Sequence, residues 1–207
     1  MYKFFLIIFM SLFLPRIAYA GLEEGLQAYQ KNDFSTAFEE FHKVAEQGDV
    51  TAQNVLGFMY AYGQGVAKDG QQAITWYRKA ADQGFPEAQA GLARVYEAGL
   101  GGVAIDKQQA VYWYLKAADQ GVASAQYNLG FIHTNGYGVI KDEQLAADWY
   151  RKAADQGFVP AQYNLGIMYA NGQGVAKNEQ LATDWYRKAA AQGHTGARTA
   201  LNMMQIK

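Results

Sequence analysis

The sequence contains no cysteine, only three prolines and no clustered excess of basic residues. The absence of cysteine excludes disulfides, thiolate metal ligands and an N-terminal cysteine that could carry a lipid anchor. Without Lys3 and Arg16, which belong to the N-terminal segment described below, the chain has 16 basic and 19 acidic residues, a formal net charge of −3. This balance argues against a nucleic-acid partner, which calls for a basic face. The fold must therefore be held together by burial of apolar side chains.

Motifs for catalysis, cofactor binding and metal binding are also missing. After residue 20 the chain has two serines, Ser35 and Ser124, and neither begins a Ser-x-x-Lys motif or lies in a Gly-x-Ser-x-Gly sequence. The three histidines, His42, His133 and His194, are far apart and form no His-Glu-x-x-His motif. We expect no catalytic site, no cofactor and no metal ion, and hence a protein that is not an enzyme.

The first twenty residues have the pattern of a secretory signal peptide. Lys3 precedes an apolar run over residues 4–14, and Ala18 and Ala20 supply small side chains at the −3 and −1 positions of a cleavage site. The run is much shorter than the roughly 20 residues of a membrane-spanning helix, and no later segment is apolar enough to span. We expect cleavage after Ala20 and export of a protein without a membrane span, either to the periplasm or out of the cell.

The four tryptophans mark an internal repeat. Each lies in a phrase such as "ADWYRKAA" (residues 147–154), and successive tryptophans are 37, 36 and 36 residues apart: Trp76, Trp113, Trp149 and Trp185. Ala-Gln pairs keep the same spacing, beginning at Ala52, Ala88, Ala125 and Ala161. Self-similarity at a fixed period of this length predicts stacked repeats.

Each repeat is predicted to form two helices. Helix A begins near the Ala-Gln pair and ends at a Gly-x-Gly loop, because glycine readily adopts the positive φ that terminates a helix. Helix B begins after an N-cap side chain, which is Asp69, Asp106, Asp142 or Asn178. It carries the Trp-Tyr pair on its apolar stripe, so we interpret this pair as part of the scaffold and expect Trp149 to be nearly buried.

These patterns predict an all-α fold, a right-handed α-solenoid of antiparallel helix pairs. The predicted segments are a signal peptide (1–20), a degenerate N-terminal helix pair (21–49), four repeats (50–84, 85–121, 122–157 and 158–193) and a C-terminal capping helix (194–207).

The repeats resemble a known family. The helix A skeleton Gln-x-x-Leu-Gly-x-x-Tyr is similar to the tetratricopeptide pattern. The Gly-x-Gly-Val loop and the ending "WYRKAADQG" resemble the Sel-1-like repeat, of which residues 161–193 are nearly a consensus copy. The resemblance implies a protein-binding scaffold or adaptor of the bacterial envelope, or a secreted binder, whose partner is a protein or peptide. Envelope assembly, host-protein binding and inhibition of a partner, as by an immunity protein, stay open. The alternative is a β-lactam-interacting hydrolase, an activity linked to some exported relatives.

In tetratricopeptide-like stacks the concave surface is lined mainly by helix A, and this surface is the expected docking site. The corresponding positions here are Asn54, Phe58, Tyr62, Ala90, Arg94, Tyr127, Phe131, Asn135, Tyr163, Ile167 and Asn171. Tyrosine supplies contact area at low entropic cost and asparagine supplies hydrogen bonds, so the composition is typical of a protein-binding groove. The sequence leaves open the alternative that Tyr127 and Tyr163 pack between repeats.

The N-terminal pattern generates a direct prediction. When the full-length chain is expressed in a bacterium, the exported protein should begin at Gly21, because the small residues before it fit the cleavage site of a signal peptidase. Intact mass and N-terminal sequencing measure this. A full-length product in the cytoplasm would contradict the prediction.

Overall fold

The computed structural model describes residues 20–205, and the predicted signal peptide lies almost wholly outside this range. Within it the regular structure is helical and no β-strand occurs. The α-helices are α1 (residues 20–30), α2 (Phe34–Glu46), α3 (Val50–Tyr62), α4 (Gly70–Asp82), α5 (Pro86–Ala98), α6 (Lys107–Asp119), α7 (Ala123–Asn135), α8 (Glu143–Asp155), α9 (Val159–Asn171), α10 (Glu179–Ala191) and α11 (Thr195–Gln205). A short 3-10 turn, Leu100–Gly102, follows α5, in the loop that is one residue longer than the Gly-x-Gly loops of the other repeats.

The helix contacts divide the chain after Asp106 into two compact units. In the first unit α2 to α5 pack in chain order, and α3 also contacts α5. In the second unit α6 to α11 pack in chain order. The predicted all-α solenoid class is therefore confirmed. None of the described helices is long and apolar enough to cross a lipid bilayer.

The helix ends follow the predicted capping chemistry. The side chains of Asp69, Asp142 and Asn178 accept hydrogen bonds from backbone N–H groups in the first turns of α4, α8 and α10. In the four repeats helix A is α3, α5, α7 or α9, and helix B is α4, α6, α8 or α10. Each helix A ends at a glycine with positive φ, namely Gly63, Gly99, Gly136 or Gly172. These caps satisfy polar groups that a helix end would otherwise leave without partners. They fix the length of each helix at 13 residues from α2 to α10.

In three of the four repeats the tyrosine of helix B packs directly on the glycine of helix A, and in the second repeat Ala93 takes the place of that glycine. A Cβ atom built on Gly57 would lie 2.6 Å from the Tyr77 ring, and one on Gly91 would lie 2.5 Å from its other side. Gly130 has the same relation to Tyr150, and Gly166 to Tyr186, each at 2.6 Å. These contacts leave no room for a side chain at the glycine. The glycine-tyrosine contact thus sets how closely helix A and helix B approach.

The tryptophans beside these tyrosines are buried, with 5% to 9% of each side chain exposed. Trp149 is 7% exposed, which confirms the sequence prediction. A lysine three residues further along the helix places its Nζ atom over the ring, at 3.8 Å from the centroid for Lys79 and 3.9 Å for Lys152. This cation–π contact places the lysine charge against the face of the buried ring.

The buried glutamines form a second repeating contact. In each helix A of the four repeats the glutamine of the Ala-Gln pair donates to a carbonyl near the end of the preceding helix, as Gln162 does to Ala154 at 3.2 Å. The glutamine that follows helix B donates a hydrogen bond to the Ala-Gln glutamine of the same repeat, as Gln192 does to Gln162 at 2.9 Å. Hydrogen-bonded amides are tolerated in a core, whereas unpaired ones are costly. The network therefore fixes the register between successive helices.

The glycine-tyrosine contact can be tested by adding a methyl group. Gly166→Ala would place Cβ 2.6 Å from the Tyr186 ring, and overpacking of this kind costs about 1–3 kcal/mol. This exceeds the roughly 1 kcal/mol that alanine gains over glycine in a helix. We expect a lower thermal midpoint by circular dichroism, whereas Ser124→Ala, at an exposed position of α7, should leave it unchanged. An unchanged or raised midpoint for Gly166→Ala would disprove the contact.

Removal of a buried tryptophan should destabilise the fold more than the added methyl group does. Trp149→Ala removes a buried aromatic ring and should reduce the free energy of unfolding by about 3–5 kcal/mol. Asp148→Ala at the neighbouring exposed position is the control, and its loss of a surface ion pair should cost no more than about 1 kcal/mol. Urea unfolding of both variants provides the comparison. Equal stability of the two would assign the Trp-Tyr pair to a binding surface instead of the core.

Candidate functional site

In the first unit the predicted positions lie on α3 and α5. Arg94 of α5 donates a 2.7 Å hydrogen bond to the Tyr62 hydroxyl of α3, and the Phe58 ring lies 4.5 Å from the Tyr62 ring. Asn54 is half-buried and Ala90 is buried. The structure thus brings Phe58, Tyr62 and Arg94 together, and their mutual contacts span the space between the two helices.

In the second unit the predicted positions on α7 and α9 enclose a cavity instead. This α7–α9 cavity has a volume of about 230 Å³. Its lining includes three predicted residues, Phe131, Asn135 and Ile167, and five others: Thr134, Tyr150, Asn164, Met168 and Gln173. Phe131 is 46% exposed and forms part of the wall, so a partner can reach its ring.

Tyr150 contributes the deepest polar group of the α7–α9 cavity. It is the helix B tyrosine that packs on Gly130, and its side chain is almost fully buried. Burial raises the pKa of Tyr150, although its hydrogen bonds with Thr134 and Asn164 oppose the rise. The hydroxyl is therefore uncharged at neutral pH and is held in place by two neighbours.

A second cavity repeats the first one 36 residues further along the chain. This α9–α11 cavity has a volume of about 530 Å³. The lining positions equivalent to Thr134, Asn135, Tyr150, Asn164, Ile167 and Met168 are Ala170, Asn171, Tyr186, Ala200, Met203 and Met204. Asn171, the last predicted position, lies here. The α9–α11 cavity is also lined by the charged Lys177 and Glu179, which have no counterpart in the lining of the α7–α9 cavity. The two sites therefore share a helix B tyrosine and a helix A asparagine but differ in charge.

Tyr127 and Tyr163 line neither cavity. The Tyr127 ring lies 5.6 Å from Tyr150 on α8 and 5.4 Å from Phe158, the N-cap residue of α9. The Tyr163 ring lies 5.8 Å from Tyr186 and 4.3 Å from His194. Both tyrosines are half-buried against the core, so their rings support the helices that carry the cavities.

Sequence reasoning missed Tyr150, Asn164 and Met168 as lining residues. The Trp-Tyr pattern predicts only a scaffold role for Tyr150, whereas its side chain also lines the cavity. Asn164 follows Tyr163 in the phrase "AQYNLG", which recurs in α7 with Asn128, and that recurrence was the available signal.

The chemistry of the α7–α9 cavity is neutral. None of its eight lining side chains carries a charge, and they offer apolar groups beside amides and hydroxyls. Such a site can hold an apolar side chain while its rim hydrogen-bonds to uncharged polar groups. Within residues 20–204, no group of three or more His, Asp or Glu side chains is arranged to hold a metal ion.

Comparison with known proteins identifies the repeats. Residues 50–85, 86–122, 123–158 and 159–194 each match the model of the Sel1 repeat. A protective antigen of uropathogenic Escherichia coli strains with an SLR fold is 41% identical, covering 90% of this chain and 41% of its own, with a TM-score of 0.85. A Sel1 repeat protein from Oxalobacter formigenes is 39% identical, covering 83% of this chain and 49% of its own, with a TM-score of 0.74.

An immunity protein from Pseudomonas aeruginosa is also similar, at 28% identity over 87% of this chain and 67% of its own, with a TM-score of 0.57. The chain spans between 6% and 34% of the length of the curated relatives it matches. The four family matches together cover more than half of the sequence. This chain therefore belongs to the Sel1 repeat family.

Proposed function

We propose that this protein is a non-enzymatic binding scaffold whose helix A surface in the second unit holds a segment of a partner protein. The observation that carries the proposal is the pair of equivalent cavities on α7, α9 and α11. Each joins an apolar wall to an asparagine at the end of helix A, Asn135 in one cavity and Asn171 in the other. Apolar side chains of a partner would occupy the cavities, and the asparagines would bind its main chain.

The size and charge of the α7–α9 cavity support a peptide side chain as its occupant. Its volume of about 230 Å³ is below the roughly 300–1,000 Å³ typical of small-molecule pockets. Its lack of charged lining residues disfavours phosphate, carboxylate or ammonium groups, which need a partner of opposite charge when they are buried. An uncharged apolar side chain fits this volume and needs no charged partner.

The biological role we propose is inhibition or assembly of a partner in the bacterial envelope, or binding of a partner after secretion. The similarity to an immunity protein of Pseudomonas aeruginosa supports the inhibitory role, and the N-terminal pattern supports export. No described residue favours the alternative of a β-lactam hydrolase. Ser35 and Ser124, the two described serines, are exposed in the first turns of α2 and α7.

Photo-crosslinking tests the proposal at the residue level. A benzophenone side chain in place of Phe131 should crosslink one defined partner from envelope or culture-supernatant fractions, because this ring forms an exposed wall of the cavity. The same group in place of Arg187, exposed on helix B, should not yield that product. Mass spectrometry identifies the partner and the crosslinked segment.

Competition with unlabelled protein completes the test. Wild-type protein should abolish the Phe131 crosslink, whereas the variant Phe131→Ser should need at least about tenfold more protein. Phe131 is 46% exposed, so this variant should keep its thermal midpoint. Tyr127 and Tyr163 are not used because their replacement removes ring contacts within the fold. Equal competition by the folded variant would refute the proposed surface.

A further inference from the structure

The outer face of the second unit has two equivalent clefts with different chemistry. The first, the α8–α10 cleft, lies between α8, the loop 172–178 and the start of α10, with a volume of about 710 Å³. Its lining is mostly polar and includes Asp148, Arg151 and Tyr169. Arg151 donates to Asp148 at 2.9 Å and to the Tyr169 hydroxyl at 3.0 Å. These hydrogen bonds pair the three side chains with one another.

Thirty-six residues earlier, the same positions form what we call the α6–α8 cleft, and they are more apolar, although Gln108, Lys141 and Asp142 remain polar. Tyr112, Leu115, Ile140 and Leu145 occupy the positions of Asp148, Arg151, Ala176 and Leu181. Their exposed fractions are 48%, 37%, 90% and 37%. A contiguous exposed apolar patch of this kind marks an interaction surface, whereas single exposed apolar residues do not.

The change in side chains also includes position 133, which is equivalent to the lining residue Tyr169. His133 occupies the position of Tyr169 and Leu115 that of Arg151, so the arginine-tyrosine hydrogen bond has no counterpart. Among the described residues, no group hydrogen-bonds to the buried Nδ1 atom of His133. The repeat has therefore lost the hydrogen bonds that pair side chains in the α8–α10 cleft, and it has gained apolar surface instead.

The charged lining positions of the α6–α8 cleft, Lys141 and Asp142, are already engaged, by Glu143 and by the Leu145 N–H. Two further lysines lie beside the cleft. The Lys116 Nζ atom lies 5.1 Å from the centroid of the Tyr112 ring, and Lys107 lies 3.7 Å from that of the Tyr137 ring. Neither lysine forms an ion pair with any described residue, whereas the acidic Glu143 and Asp148 are already paired with Lys141 and Arg151. A ligand of this cleft therefore gains from negative charge beside its apolar groups.

We propose that the α6–α8 cleft is a second docking site, which binds an acidic amphipathic segment of a partner protein. The apolar side of the segment lies on Tyr112, Leu115 and Ile140, and its Asp or Glu side chains approach Lys107 and Lys116. This site is on a different face from the α7–α9 cavity and does not depend on the function proposed above. A scaffold with two such faces can hold two partners at once.

A variant that restores the pattern of the neighbouring repeat tests the proposal. Tyr112→Asp, Leu115→Arg reproduces the Asp148 and Arg151 pair on α6, so it should fold with an unchanged thermal midpoint. A phage-displayed library of 16-residue peptides is selected on wild-type protein after pre-clearing on this variant. Enriched peptides should be acidic, with apolar residues on one side.

Synthetic copies of the enriched peptides are then measured by fluorescence anisotropy. The double variant should bind at least tenfold more weakly than wild type, and wild-type affinity should fall as salt is raised, because exposed charges are screened. Leu26→Gln, a change at an exposed leucine in the first unit, should leave affinity unchanged. Failure to enrich a peptide, enrichment of neutral or basic peptides, or equal binding by the double variant would overturn the proposal.

Two further measurements exclude other occupants. Vesicles rich in phosphatidylglycerol test a membrane surface, and sedimentation velocity tests a second copy of the chain. Neither wild type nor the double variant should bind the vesicles, and both should sediment as the same species. Vesicle binding or self-association that the wild type shows and the double variant lacks would assign the cleft to that occupant and overturn the peptide assignment.

Discussion

The contact between the helix B tyrosine and the helix A glycine is the constraint on which the rest of the structure depends. At Tyr77, Tyr150 and Tyr186 the ring lies where a glycine has no Cβ, so the ring packs against backbone. A buried aromatic side chain contributes a large apolar area, and its packing fixes the spacing of the helices around it. The buried glutamine pairs then fix the register, because each needs its partner's amide or carbonyl at hydrogen-bonding distance.

The candidate site on helix A is a consequence of this contact. Tyr150 packs on Gly130 with its ring, and the same side chain forms part of the lining between α7 and α9. One residue thus serves the scaffold and the cavity, and the 36-residue period reproduces both at Tyr186. The residues around this tyrosine differ between the two cavities. Phe131 and Ile167 line the first cavity, and Ile167 and Met203 occupy the equivalent positions around the second.

The residue types on the outer face are less constrained, because the core side chains of helix B lie on its other side. An Asp-Arg pair at positions 148 and 151 and a Tyr-Leu pair at positions 112 and 115 are carried by helices of the same length with the same buried tryptophan and tyrosine. Such positions can change from polar to apolar without disturbing the buried tryptophan and tyrosine of the helix. A departure from the repeat pattern on this face therefore points to binding more directly than one in the core.

The sequence alone determined the period, the helix pairs, the caps and the burial of Trp149. Each depends on local chemistry or on a pattern within one repeat. Tertiary structure decided which aromatic side chains remain accessible. Phe131 and Tyr127 lie four residues apart on α7, yet Phe131 is exposed and Tyr127 packs on Tyr150 and Phe158. That outcome depends on Tyr150 and Phe158, which lie 23 and 31 residues after Tyr127 and outside any pattern within α7. The apolar α6–α8 cleft likewise becomes evident only when positions on α6, α8 and their connecting loop are brought together by the fold.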